Sequence, residues 1–357
     1  MVIVPRAPVS PTPGGVVGAG RPAQARADWM DVLRGVALIA VVLFHAGTLL
    51  RFADLQVPEG LRAVNGAAAP LRIPLLVLLS GLLMPRSVSK GVRRYARGKL
   101  AAVGYPFLLW TVLYGLVYWP GLGVEALAWL VPSLLTGGSY LWYLLFLLVF
   151  YAAALVVRHL PRLPVAAVFL VLAELAPDAT KHLERPAFLF ALFLGGWWLA
   201  EHPGLLRTAV RSPLAAVAAA AVLGASYALL DMSRYGPRAL PGTLAGALVL
   251  AFCAHRVARS GLLRPLRFTG RNSVVFYVVH FPVIYVLMRC ADLAGVEGPV
   301  LLVVVSAGAA LAAGAVLALA RPRSGLVRGL FTAPGRWSAS GAPVAAGAVG
   351  GPPRTSP

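Results

Sequence analysis

The chain is predicted to be an all-α polytopic membrane protein, a bundle of about ten transmembrane helices between disordered tails, and three observations predict it. It is 59% hydrophobic and only 12% charged over 357 residues, more apolar surface than a soluble core can bury. The apolar residues fall into ten runs near spanning length, at about 32 to 50, 63 to 84, 100 to 119, 140 to 157, 163 to 178, 186 to 200, 213 to 230, 240 to 255, 274 to 289 and 299 to 320. The basic residues alternate from loop to loop: with the N-terminus inside, the inner segments hold 24 of the 32 Lys and Arg. Only Arg51, Arg62, Arg72, Lys181, Arg185, Arg234, Arg238 and Arg289 fall elsewhere. Both termini are therefore expected in the cytoplasm and the chain in the cell (plasma) membrane, its partner being the lipid bilayer. The formal charge of +20 serves topology here; no nucleic acid is expected, because the charges sit in short clusters between apolar runs.

Residues 1–27, rich in Pro, Gly and Ala, lack the layout of a cleavable signal peptide and read as a disordered cytoplasmic tail. The transmembrane domain runs over 28–320. Its first run holds Asp31-Val-Leu-Arg34 and then His45. Eleven positions are close to three helical turns, so Arg34 and His45 share a face roughly 16 Å apart. With Arg34 at a membrane surface, His45 lies about halfway through a hydrocarbon core of roughly 30 Å, where an ionisable group is costly and is read as functional. An imidazole there can take a proton from a hydroxyl, making His45 a candidate general base; the alternative is a packing histidine that has found a polar partner. Asp31, three residues before Arg34, pairs with it on one face or serves as a helix-start cap and surface anchor.

The second run contains Arg72, Pro70 and Pro74, and reaches spanning length only if it begins near Ala63. On that start Arg72 lies roughly 18 Å above the inner end and His45 roughly 20 Å above it on the opposed helix, so the two share a level. Arg72 then either binds an anionic or hydroxyl-rich group or snorkels to an interface. Ser80-Gly81 ends this run and suits close helix packing. Next comes the basic cluster Arg86, Lys90, Arg93, Arg94, Arg97 and Lys99, leading into Tyr105-Pro106-Phe-Leu-Leu-Trp110. Arg94 and Arg97 are one turn apart and can hold phosphates, or the whole cluster is a topology signal.

The fifth and sixth runs are short; Glu174, in the fifth, either orients a histidine or lies near the outer surface. Cys253 and Cys290 sit in or beside runs far apart in sequence, giving neither a disulfide framework nor a metal-ligand spacing, and read as packing residues; no metal is expected. The ninth run opens with Gly270-Arg271-Asn272-Ser273 and reaches Tyr277 and His280. Asn272 or Ser273 suits a helix start, which puts His280, a second intramembrane histidine, about 13 Å into the membrane, in a structural or a catalytic role. Residues 321–357 again read as a disordered cytoplasmic tail.

Taken in order, these motifs resemble the acyltransferase 3 family of integral membrane O-acyltransferases. Asp31-Val-Leu-Arg34-Gly35 through Phe44-His45 is similar to the family's first-helix Asp-x-x-Arg-Gly and Arg-x10-His signature. Leu71-Arg72-Ile73-Pro74 through Ser80-Gly81 resembles its second helix, with Leu75-Leu76 in place of the usual aromatic pair. Arg94-x-x-Arg97 before Pro106 resembles the stretch associated with the acyl donor, although Arg97-Gly98-Lys99 fits the spacing as well. Leu141-Trp142-Tyr143-Leu144 and Asn272-Ser273 through Tyr277 and His280 complete the match, which spans roughly 28 to 320.

The resemblance implies transfer of an acyl group, acetyl being the one expected, from cytoplasmic acyl-CoA to a hydroxyl of a sugar, glycan or glycosylated metabolite. His45, Arg34 and Asp31 are then the catalytic group, Arg94, Arg97 and Lys99 the donor-binding group, and Arg72, Ser80 and His280 the acceptor-binding or oxyanion group. Acyl-CoA enters as a co-substrate, with no bound cofactor expected. The rival reading is a transporter or flippase for a lipid-linked glycan, in which Arg72, His45 and Glu174 line a polar path; internal repeats of the kind common in transporters are not visible. A third is a scaffold whose buried charges only pair with one another.

Overall fold

The computed structural model describes residues 21–118, 124–137, 139–176, 181–232 and 235–334, and among these it is helical with no strand. The helices are α1 (Arg21–Thr48), α2 (Glu59–Gly81), α3 (Met84–Val88), α4 (Val92–Lys99), α5 (Tyr105–Tyr118), α6 (Val124–Thr136), α7 (Trp142–Val156), α8 (Arg162–Leu175), α9 (Lys181–Glu201), α10 (Pro203–Arg211), α11 (Pro213–Leu229), α12 (Leu240–Val257), α13 (Arg264–Arg271), α14 (Ser273–Leu293), α15 (Pro299–Ala320) and α16 (Gly325–Gly329). Large apolar side chains such as Leu214, Leu229, Val304 and Val316 face outward on several of them, as lipid contact requires and water does not favour.

Seven stretches are long and apolar enough to cross a membrane: Asp28–Ala53, Glu59–Gly81, Val92–Tyr118, Trp142–His159, Pro237–Val257, Ser273–Leu293 and Pro299–Ala320. An eighth is present if α10 and α11, bent by 79° to each other, form one span. The predicted helical membrane bundle is present, and the count of ten is approximate, the short fifth and sixth runs being where the two counts differ. Helix α8 has 14 residues, fewer than the roughly 20 that a hydrocarbon core demands. Helix α9 has charges towards both ends and lies between α8 and α2. Its Phe188 and Phe193 are fully buried, so its apolar character belongs to the protein core.

Antiparallel packing of α1 on α2 sets the frame of the site. Gly47 lies against Leu61 and Asn65, and Arg34 reaches the carbonyl of Leu79 at 3.4 Å. The close approach between α2 and α9 depends on missing side chains: a Cβ on Gly81 would sit 2.0 Å from the carbonyl oxygen of Phe193, and one on Gly196 2.2 Å from that of Leu78. Gly81 is thus a packing element, while the Ser80 hydroxyl is returned to the Leu76 carbonyl of its own helix at 2.7 Å. Between α4 and α5 the helix widens into a π turn at Leu100–Gly104. The following Pro106 offers no N–H to the ladder and its ring crowds the preceding turn, which the extra residue relieves.

Both expected tails begin elsewhere than composition suggested. Helix α1 already starts at Arg21, and at the other end residues 321–334 pack on the bundle. Tyr105 donates to the Gly329 carbonyl at 2.6 Å, Trp110 to that of Leu330 at 2.9 Å, and buried Phe331 stacks on Trp110 at 5.7 Å. The remaining residues of both tails lie outside the described part. Cys253 and Cys290 are exposed on helix surfaces rather than packed in the core, because the runs that carry them present those faces outward.

Candidate active site

Asp31 and Arg34 open the site at one end of α1. Their carboxylate and guanidinium lie 3.5 Å apart, one helical turn along the same face. Asp31 is also held by Arg271, whose Nε donates at 3.0 Å while its Nη2 reaches Asp28 at 2.6 Å. The Asp31 hydrogen bond leads the effects that push the Arg271 guanidinium above its ordinary pKa, against some desolvation. The backbones meet here as well: a Cβ on Gly270 would fall 1.9 Å from the Asp31 carbonyl oxygen, and one on Gly35 2.2 Å from that of Leu266. Glycine is what lets α13 lie against α1, and Arg271 comes to Asp31 as a result. Sequence reasoning passed over Arg271, counting it only as a topology charge.

A cleft of about 350 Å³ runs inward from Asp31, Arg34 and Arg271 between α1, α2, α7 and α14. Ser80, Tyr143, Tyr151 and Tyr277 line it, and Leu38 is among its apolar walls. Leu38 and Tyr277 stand about 10 and 5 Å before His45 and His280 along their helices. Of the three expected donor residues, only Lys99 turns toward this cleft: its Nζ lies 3.9 Å over the ring of Tyr151. Tyr95, one turn earlier on the same face, ties α4 down by donating to the Tyr151 carbonyl at 3.0 Å. Arg94 and Arg97 face away and are exposed. Spacing treats the three alike; the rotation of α4 on α7 turns only Lys99 among them toward Tyr151.

Beyond the cleft, two elements bring the intramembrane histidines together. His45 on α1 and His280 on α14 have ring centroids 5.2 Å apart at an interplanar angle of 39°. His280 is buried, and its Nδ1 lies 2.6 Å from the Tyr277 carbonyl. His45 is half-buried and edges onto Phe44 and Phe281 at 5.1 and 5.0 Å. Among the described residues no side-chain hydrogen bond ties its ring. The expected shared level of His45 and Arg72 is reached through the side chain. Arg72 runs back along α2, donates to the Asn65 carbonyl at 2.7 Å, and lays its guanidinium 4.2 Å over Phe44, the residue before His45. Asn65 is itself beside Gly47. The buried guanidinium thus rests on one carbonyl and an aromatic face beside the histidine pair.

An aromatic wall continues past the pair, toward the Arg51 end of α1. Phe281 stacks on Tyr140 at 4.6 Å, Tyr114 meets both edge-on, and Tyr118, Trp129 and Tyr285 extend the cluster to half-exposed positions. Phe52 joins through Tyr285 at 5.2 Å. Glu174 is remote from any histidine contact: it pairs with Arg238 at 3.1 Å, both exposed, so it neither orients an imidazole nor lines the cleft.

The site thus combines a charged mouth, a cleft, a histidine pair beside a buried guanidinium, and an aromatic wall on the far side. The family profile described as an acyltransferase domain matches residues 27–319. No curated protein and no solved structure matches the chain.

Proposed function

Because the chain belongs to the acyltransferase domain family, and so is a membrane acyltransferase of the kind that moves groups other than aminoacyl groups, we propose that it carries an acyl group, acetyl first, from acyl-CoA to a hydroxyl of a sugar, glycan or glycoside, with His45 as the general base. The observation that carries this reading is the alignment of the cleft: cationic residues at its mouth, aromatic hydroxyls along it, and the histidine pair one to two turns beyond its inner walls. The donor's phosphates meet Arg34, Arg271 and Lys99, and the pantetheine arm lies along Tyr151 and Tyr143 toward His45. That mouth faces the cytoplasm, where acyl-CoA is made, as the Lys and Arg alternation supports.

The chemistry balances without a cofactor. His45 takes the proton of the acceptor hydroxyl as its oxygen attacks the thioester carbonyl; the C–S bond breaks, and the proton passes to the departing thiolate sulfur to give free CoA and the O-acyl ester. Arg72, 4.2 Å over Phe44, supplies positive charge close to where the oxyanion develops. Ser80, whose hydroxyl is bonded to Leu76, shapes the cleft. Arg34 and Asp31 act at the mouth, holding the donor and each other. The acceptor approaches along the aromatic wall, whose half-exposed rings Tyr118, Trp129 and Tyr285 suit the apolar face of a sugar.

Membranes containing the protein, incubated with acetyl-labelled acetyl-CoA and extracted envelope glycans, test this against a transporter. Label in base-labile ester linkage on the glycan, lost with His45→Ala, is the expected result. Glycan moved across the membrane with no label transferred would overturn it.

A further inference from the structure

His280 is 1% exposed, yet one of its ring nitrogens has nothing to bond. Nδ1 lies 2.6 Å from the Tyr277 carbonyl oxygen, which can only accept, so the ring proton of neutral His280 is on Nδ1. The other nitrogen, Nε2, therefore keeps its lone pair, and it is buried without a hydrogen-bond partner. Buried acceptors are seldom left so, and an unpaired one marks a place where a donor is expected.

The neighbours narrow the choice of donor. Tyr140 and Tyr277 pack on the imidazole with ring centroids at 5.8 and 5.7 Å, but both hydroxyls are committed. Tyr140 donates to the Val278 carbonyl at 2.6 Å and Tyr277 to the Tyr140 carbonyl at 2.8 Å. These crossed bonds clamp the backbone that carries His280 and hold the ring in place. Phe281 offers no polar atom, and Arg72 is directed back to Asn65. His45, 5.2 Å away between centroids, packs on the same imidazole and carries a ring N–H that no side-chain hydrogen bond engages among the described residues.

We propose that His280 is a positioning residue for His45: its Nε2 accepts the ring N–H of His45 in the working complex, so that the other nitrogen of His45 turns its lone pair to the acceptor hydroxyl. This rests on His45 being the base. A small rotation of the half-buried His45 ring makes the bond, since His280 is clamped and His45 is not. Once His45 has taken the hydroxyl proton it carries an N–H on both sides, one of them shared with His280, and the proton then leaves to the thiolate. His280 thus fills, as a neutral imidazole, the tautomer-setting place that a carboxylate fills in a hydrolase triad.

The test uses the full chain in lipid nanodiscs, with initial rates for acetyl-CoA and a fixed glycan acceptor, for the wild type, His45→Ala, His280→Ala and His280→Gln, alongside the midpoint of thermal unfolding. His280→Ala is expected to lower kcat about 10- to 100-fold with KM for acetyl-CoA unchanged, the size that misaligning a catalytic group produces. His280→Gln, whose amide oxygen can accept the same N–H, is expected to recover most of that loss at an equal unfolding midpoint. If His280→Ala does not fold, His280→Gln carries the test alone, with kcat within about tenfold of wild type expected. A His280→Ala protein with kcat within twofold of wild type overturns the proposal, as does a folded His280→Gln protein as impaired as His280→Ala. If His45→Ala abolishes transfer while His280→Ala leaves it intact, the positioning role fails and the base survives. Full activity in His45→Ala overturns both.

Discussion

Lys99 offers the sharpest quantitative prediction, because the structure separates it from Arg94 and Arg97, two residues that spacing treats alike. Its ammonium sits 3.9 Å over Tyr151, a residue of the cleft wall, whereas the two arginines are exposed. A donor phosphate about 4 Å from that ammonium gains about 4 kcal/mol at an effective dielectric constant of about 20. Desolvation and the surrendered contact with Tyr151 bring the net value to that of a hydrogen bond between charged groups, about 1.5–3 kcal/mol. Lys99→Ala should therefore raise KM for acetyl-CoA about 10- to 150-fold. Arg94→Ala and Arg97→Ala, screened by solvent, should each raise it less than about fivefold, and less still in high salt. Initial rates over a range of acetyl-CoA concentrations, in nanodiscs at low and high salt, give all three constants. A larger effect from Arg94→Ala or Arg97→Ala than from Lys99→Ala would refute the assignment and return the donor to the outer face of α4.

Three further outcomes are expected. Arg72→Lys loses the planar contact with Phe44 and the directed bond to Asn65, so kcat should fall about tenfold, the equivalent of 1–2 kcal/mol; an unchanged kcat would remove Arg72 from the reaction. Gly81→Ala places a methyl where only 2.0 Å separates it from a carbonyl oxygen, and should cost about 1–3 kcal/mol, read as a lower midpoint of denaturation in detergent; an unaltered midpoint would mean that α2 and α9 are not packed so closely. Phe331→Ala removes a side chain that is 3% exposed and stacked on Trp110, and should make tryptic cleavage after Arg323 or Arg328 about tenfold faster; cleavage at the wild-type rate would mean that residues 321–334 are not held on α5.

Helical periodicity made part of the site legible in the sequence. Arg34 and His45 lie eleven positions apart on one helix, so their shared face and spacing follow from α1 alone, as does the Asp31 to Arg34 pairing. What depends on packing between helices was not legible. His45 and His280 are 235 positions apart and meet only because α1 packs on α14. Asp31 finds Arg271 only because Gly270 and Gly35 let α13 approach. For Lys99 the deciding variable is the rotation of a short helix, which no spacing records.

The same limit explains the fold. Composition reads runs five and six alike, whereas in the fold the 14-residue α8 turns Val168 and Leu172 outward and α9 buries Phe188 and Phe193 between α2 and α8. Composition misjudged the C-terminal segment for a related reason. A short Gly- and Arg-rich stretch resembles a tail, and its attachment rests on two side-chain bonds to backbone carbonyls, from Tyr105 and Trp110, and on the single buried ring of Phe331.

The central claim is that His45 takes the acceptor's proton at the inner end of a donor cleft. The direct measurement is the rate of acetyl transfer from labelled acetyl-CoA to glycan by purified wild-type and His45→Ala protein in nanodiscs, with acetyl-CoA binding measured on the same samples. The account predicts a loss of at least about 10²- to 10⁴-fold in kcat, the usual worth of a general base, with donor binding within about twofold of wild type. Transfer by His45→Ala at a rate near that of the wild type would contradict it.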